Sequence, residues 1–315
     1  MEGSTENQTS ISEFLLLGLT EDHDVKFLFF FIFSSMYLVT VLGNMGMIIL
    51  ICCSPKLRNP MYFFLGNLSF SDVCYSSVIT PKLISILCSS QVSISFDGCA
   101  MQLFFFGMFV GAECFLVTVM AYDRYVAVCN PLLYITIMSK ALQIKLVGVA
   151  YSGGILTSIV HTSCTFTMDF CGSNQVNHFF CDIPPLLKLS CSNTFMSELL
   201  MFLLSSILGS LSAMVIFISY AKIISAILNM QSTEGRWKTF STCSAHLTVV
   251  TLFFGTAVFM YARPISSYSV QKDKVISLVY TVVIPMLNPI IYSLRNTQVM
   301  NAFNNIAACK IDFCK

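Results

Sequence analysis

Two carboxylates stand where apolar residues surround them. Asp72 ends the stretch Leu68-Ser69-Phe70-Ser71-Asp72, and Glu113 sits in Gly111-Ala112-Glu113-Cys114. An ionisable side chain inside a long apolar run is costly and by default marks a functional site. On two packed helices, such a pair can share a proton or hold a small cation. Asn44 and Asn288 add amides in two other apolar runs. The plainer reading is a set of hydrogen-bonded carboxyls that only fix helix packing. Asp123-Arg124-Tyr125 closes the run that holds Glu113. Its carboxylate can hold the guanidinium, and release would expose a cation. The alternative is an ordinary boundary anchor, since Arg and Tyr both favour interfaces. Pro285-Met286-Leu287-Asn288-Pro289-Ile290-Ile291-Tyr292 carries two prolines. Each removes a backbone donor and kinks a helix, as a hinge or as a static bend. Asn288 is placed to serve the freed carbonyls.

Catalytic patterns are absent from the sequence. His23, His161, His178 and His246 form neither HExxH nor a close pair, and no glycine loop fits a phosphate. Cys171, Cys181 and Cys191 are too widely spaced for a zinc ribbon. No ladder of Lys or Arg suggests a voltage sensor. The chain is therefore read as a non-enzyme with no cofactor.

These groups need elements to hold them. The chain has 315 residues, of which 56% are hydrophobic and 10% charged. A soluble domain carries roughly 25% charged residues, so a soluble globule would leave too much apolar surface in water. The composition also excludes disorder. A net charge of +1 gives no pull toward nucleic acid. An integral membrane protein remains. A spanning helix takes about 20 mostly apolar residues. Seven runs qualify, at about 27–52, 61–84, 101–128, 144–166, 196–227, 239–261 and 275–294. The second and third are the least clean, since each holds a carboxylate. The runs are apolar all round, unlike the alternating strands of a barrel. This predicts one all-α domain over 1–315, with a tail at 1–26 and a cytoplasmic tail at 295–315. The tail before the first run has no signal-peptide pattern, so that run is expected to start insertion.

Lys and Arg in short loops set the orientation. With the N-terminus outside, 11 of the 17 basic residues fall on the inner side. Asn7-Gln8-Thr9 is an N-glycosylation acceptor in the same outer tail. Cys99, Cys171, Cys181 and Cys191 then lie in outer loops, where disulfides persist, and four cysteines allow three pairings. Gly107, Gly111 and Gly255 either let helices approach or leave room for a ligand.

Taken in order, the motifs resemble the olfactory receptors of the rhodopsin-like G-protein-coupled receptor superfamily. Met120-Ala121-Tyr122-Asp123-Arg124-Tyr125-Val126-Ala127-Val128-Cys129 looks like the family's third-helix signature. Pro60-Met61-Tyr62-Phe63-Phe64-Leu65, Lys238-Thr239-Phe240-Ser241-Thr242-Cys243-Ser244-Ala245-His246 and Pro285 to Asn296 are similar to its entries to helices two and six and its end of helix seven. Gly43-Asn44 and Ser219-Tyr220 fit as well. Arg58-Asn59 stand before Pro60 where the family often has His, and Phe253-Phe254-Gly255 replaces its Phe-Tyr-Gly. Thr239 stands for its common Ala.

The resemblance implies a seven-helix bundle in the plasma membrane, with a short amphipathic helix after the seventh span. It implies an odorant as ligand and a stimulatory, olfactory-type G protein as partner, raising cyclic AMP. Membrane lipid surrounds the bundle, and nucleic acid is not a partner. Arg124 would meet the G protein, with Asp123 as its resting partner, Tyr125 beside it, and Tyr220 and Tyr292 supporting the active state. Asn44, Asp72, Glu113 and Asn288 match the polar core and candidate sodium site; no other metal is expected. Cys99 would pair with Cys181 and Cys171 with Cys191, with Cys99–Cys191 as the alternative. The implied pocket is Phe106, Gly107, Val110, Gly111, Leu204, Ser205, Leu208, Phe254, Ala257, Val258, Tyr261 and Thr281, which suits a small, weakly polar volatile molecule. The competing readings are a rhodopsin-like receptor for a non-odorant metabolite and a channel or transporter using Asp72 and Glu113.

Overall fold

The structure is a computed structural model that describes residues 11–89, 92–171, 173–261, 270–294 and 298–303. Only the backbone is described at 238, 242, 257–261, 270 and 294. Asn7 lies outside the described residues. Among them are seven long helical units: His23–Cys53, Pro60–Cys88, Phe96–Cys129, Lys140–Phe166, Phe195–Leu228, Thr233–Tyr261 and a composite seventh. The seventh joins Val270–Leu278, a π turn at Val279–Val283 and Ile284–Leu294. Each overruns its apolar run at one or both ends. A helix of 29 residues is about 44 Å long, against roughly 30 Å of hydrocarbon. The surplus turns carry caps in the polar zone. Asp22 accepts from the Asp24 and Val25 amides, Ser95 from Gly98 and Ser139 from Leu142.

By length and apolarity alone, five helices among the described residues can cross a membrane; Pro60–Cys88 is long enough but more polar. The third helix, expected to be marginal, is among the apolar five. Glu113 at its middle is outweighed by the surrounding Phe, Val and Met. The second helix carries Asn67, Ser69, Ser71, Asp72, Ser76 and Thr80, most of them buried inside the bundle rather than facing lipid. Lipid takes the other surfaces: Phe27, Leu42, Phe202 and Phe217 are exposed.

Two apolar cores stack along the bundle axis. The outer one gathers Tyr75, Ile79, Phe106, Phe179, Phe180, Tyr280 and Ile284. The inner one gathers Leu57, Tyr62, Leu68, Leu116, Met120, Tyr220 and Tyr292. A short helical stretch at 298–303, the one expected after the seventh span, lays Val299 and Ala302 on the inner core. The Tyr62 hydroxyl donates to Gln298 Oε1 at 3.0 Å.

The break in the seventh helix has a specific remedy. Pro289 has no N–H for the Pro285 carbonyl one turn back. Asn44 Nδ2 donates to that carbonyl at 2.9 Å. The service expected of Asn288 thus falls to Asn44, because the first helix lies against the kink. A Cβ on Gly43 would come within 3.0 Å of the Pro289 ring, so glycine is what allows this approach.

The outer face holds a small sheet that the all-α reading did not anticipate. Its order is β2-β1-β3, with β1 Glu13–Leu16, β2 Val92–Ser95 and β3 Gln175–Val176. β1 runs antiparallel to β2 and parallel to β3. Phe14 and Leu16 turn inward onto the outer core. The sequence carried no alternation to find, since Phe14, Leu15 and Leu16 are all apolar.

Candidate functional site

The second, third and seventh helices bring Asp72, Glu113 and Asn288 together. Asn288 Nδ2 lies 3.1 and 3.0 Å from the two Asp72 oxygens and 3.4 Å from Glu113 Oε1. All three side chains are buried, and Tyr75 interacts with both carboxylates. The cluster sits where the outer core gives way to the inner. Asp72 falls between Leu68 and Tyr75, and Glu113 between Val110 and Leu116. Among the described residues, Glu113 Oε2 and Asn44 Oδ1 are buried without a hydrogen-bond partner. Two anionic groups on one amide need a proton or a cation between them. The oxygen donors fit a small hard cation.

At the inner end, Arg124 Nη2 meets Asp123 Oδ2 at 3.2 Å. The other Asp123 oxygen accepts from the Tyr134 hydroxyl at 2.8 Å. Tyr134 was missed in the sequence, because nothing local marks an inner-loop tyrosine as a carboxylate partner. Tyr220 reaches the sixth helix: its hydroxyl is 2.6 Å from His246 Nδ1, and the rings stack at 5.9 Å. His246 Nε2 lies 3.2 Å from the Val117 carbonyl. With Nε2 donating there, Nδ1 accepts from Tyr220. One imidazole therefore ties the third, fifth and sixth helices. His246 had a findable signal as an ionisable group inside a span. Among the described residues, the buried Tyr292 hydroxyl has no hydrogen-bond partner. The charge of Arg124 acts on Tyr220, Cys243, His246 and Tyr292. Tyr125 lies half-buried at the edge of the inner core.

The expected pocket residues separate. Phe106 is buried among Tyr75, Phe180 and Tyr280, with ring centroids 5.3 Å from Phe180 and 5.9 Å from Tyr280. Val110 packs on this outer core, and Thr281 is buried there with its hydroxyl on the Ser277 carbonyl at 2.6 Å. Leu204 and Leu208 are half-buried on the fifth helix. Ser205 Oγ is 3.4 Å from His161 Nε2. Two glycines leave the pocket reading. A Cβ on Gly107 would meet Ser158 Oγ at 2.9 Å, and one on Gly111 would meet Gly154 Cα at 3.0 Å. Both turn toward the fourth helix and serve close packing. Among the described residues, nothing lies within 4 Å of a Cβ on Gly255. Phe254 packs on the inner core rather than the outer one. The side chains of Ala257, Val258 and Tyr261 lie outside the described residues. A cavity of about 480 Å³ opens on the outer flank, lined by Val78, Lys82, Met101, Gln102, Phe105 and others. It includes none of the expected pocket residues.

The outer loop closes over the aromatic cluster. Cys99 is bonded to Cys181 and Cys171 to Cys191, with Cα separations of 5.6 and 5.9 Å. Gln102 accepts from the Cys181 amide at 2.9 Å and donates to the Val78 carbonyl at 3.1 Å. Asp182 caps the short helix Ile183–Leu187 and accepts from the Tyr280 hydroxyl at 3.3 Å. Burial pushes the Asp182 carboxyl up to about 6, helped by Asp273 and opposed by the Ile183 amide and the Tyr280 hydroxyl. Burial and the Lys274 charge lower His178 to about 3. The two slope oppositely. An acid that holds its proton more tightly when folded makes the fold less stable as pH rises, here from about 4 through about 6. Neutral His178 does the reverse, so variants must be compared at each pH. Asp182→Asn keeps one acceptor oxygen, for the Ile183 amide, and removes the charge. In melts of purified protein it should exceed wild type by ~1–3 kcal/mol near pH 7.5, keep about half of that near pH 5, and lose it only below about pH 4. A difference that does not change with pH would exclude this ionisation.

Residues 33–310 match the family model described as olfactory receptor. Olfactory receptor 5AR1 of Mus musculus is 51% identical over 305 residues, covering 97% of this chain and 98% of the relative. Its Homo sapiens namesake is 50% identical with the same coverage. Olfactory receptor 5AP2 of Mus musculus is 51% identical over 300 residues, covering 95% of each. The crystal structure of squid rhodopsin aligns with a TM-score of 0.68 at 16% identity, covering 90% of this chain and 81% of that one, and so shares the fold. Half the residues being identical over nearly the full length of both chains, together with the family match and the rhodopsin-like bundle, means that this chain belongs to the olfactory receptor family.

Proposed function

We propose that this multi-pass plasma-membrane protein binds small, weakly polar volatile molecules in the outer half of the bundle. It then activates a stimulatory, olfactory-type G protein and so raises cyclic AMP. The supporting observation is the closed inner face. Tyr220 and His246 join the fifth and sixth helices at 2.6 Å, beside an Arg124 held by Asp123. That arrangement reads as the resting state. An odorant that binds better when the sixth helix has moved away shifts the population. Going from 1:99 to 99:1 takes about 5.5 kcal/mol of differential affinity.

The aromatic cluster of Phe106, Phe180 and Tyr280 under the disulfide-tied loop supports an outer pocket, with Val110, Thr281, Leu204, Leu208 and Ser205 as further lining. Ser205 and Thr281 supply hydroxyls for a carbonyl, ester or alcohol. Ala257, Val258 and Tyr261 of the sixth helix complete the proposed set. Asp72, Glu113, Asn288 and Asn44 serve as the switch core, and Asp72 and Glu113 would hold sodium there. Packed apolar layers above and below the cluster favour a switch over an ion path. The chain works as one receptor domain over 1–315, with Asn7 glycosylated.

The test is a broad odorant panel on cells carrying the receptor and a cyclic AMP reporter. At least one volatile should raise the signal in a dose-dependent way. Silence across the panel, with surface expression confirmed, would favour a non-odorant metabolite as ligand.

A further inference from the structure

The chain has a single tryptophan, and it is in an unusual place. Trp237 lies in the second turn of the sixth helix and is 73% exposed. Phe240, one turn on, is 56% exposed and stacks on it with ring centroids 6.3 Å apart. Trp237 and His246 are nine positions apart, about two and a half helical turns, and so occupy opposite faces. His246, Val249 and Phe253 face the bundle. Trp237 and Phe240 instead begin an outward row that continues through Leu247, Thr251 and Gly255. The level of the pair is also fixed. Neighbouring Arg236 donates from Nε to the Met230 carbonyl at 2.7 Å and from Nη2 to the Leu228 carbonyl at 3.2 Å. This ties the foot of the sixth helix to the inner end of the fifth.

We propose that Trp237 and Phe240 form a docking surface for the inner-leaflet headgroup layer and fix the depth and rotation of the sixth helix. The surface continues the lipid-facing side of a spanning helix, and an indole with an apolar body and one N–H donor suits that layer. A protein partner is the other candidate occupant. It would approach the face around Arg124, where His246 points and Trp237 does not. The proposal rests on the spanning topology alone and not on odorant signalling.

The test uses the full-length receptor in phosphatidylcholine vesicles, where emission from the sole tryptophan reports this site. Lipids brominated near the carbonyl end of the acyl chain should remove most of the emission, and acrylamide in the water little of it. Trp237→Phe with Phe240→Trp moves the fluorophore about 4.5 Å deeper, so lipids brominated further down the chain should become the better quencher. Emission lost to acrylamide and untouched by brominated lipid overturns the proposal and gives the rings to a cytosolic partner. The same depth order in both chains overturns it too.

Discussion

Arg124→Ala is expected to abolish odorant-evoked cyclic AMP while the receptor still reaches the cell surface. Arg124 is the charged group at the inner end of the third helix and is held there by Asp123 at 3.2 Å. Its own side chain is 14% exposed, whereas Asp123 is fully buried. Losing the guanidinium leaves Asp123 with the Tyr134 hydroxyl, so the carboxylate keeps one hydrogen bond. Truncating one member of a buried pair costs roughly 3–5 kcal/mol when nothing else compensates. Here the Tyr134 hydroxyl reduces that cost. Signal loss should therefore exceed loss of surface protein by a wide margin. The assay pairs a cyclic AMP reporter with antibody staining of unpermeabilised cells. A full response from the variant would remove Arg124 from the switch. It would also revive the ion-path reading, which has no use for this residue.

Cys99→Ser should stop surface delivery almost completely, and Cys171→Ser should reduce it less. The difference follows from loop size. The Cys99–Cys181 bond closes a separation of 82 residues and the Cys171–Cys191 bond one of 20. On the chain-entropy account these bonds stabilise by roughly 4.5 and 3.3 kcal/mol. The first also fixes the outer loop over the aromatic cluster, next to the Gln102 bond to the Cys181 amide. Surface fractions measured against total protein decide the order. Normal trafficking of Cys99→Ser, or a worse defect in Cys171→Ser, would contradict the assignment.

Several features were legible because they depend on neighbours in the chain. The seven apolar runs, the inward bias of Lys and Arg and the broken seventh helix are all read locally. So is the oddity of Asp72 and Glu113, since a carboxylate in an apolar run is conspicuous in one dimension. Glycine was read only by type. The family resemblance placed Gly107 and Gly111 in the pocket, but their direction depends on where the fourth helix lies. The sheet strand at Glu13–Leu16 was taken for part of a polar tail, because its partners come from two distant loops.

By itself the sequence determined the class, the orientation and the family, since hydrophobic length, loop charge and ordered motifs are properties of the chain. Only the tertiary structure decided which groups meet. Asn288 lies 175 positions from Glu113 and 216 from Asp72, and Asn44 lies 241 from Pro285. Their hydrogen bonds depend on the rotation of each helix about its axis. That rotation is set by how side chains from several helices pack together, and hydropathy along one helix carries little of that information.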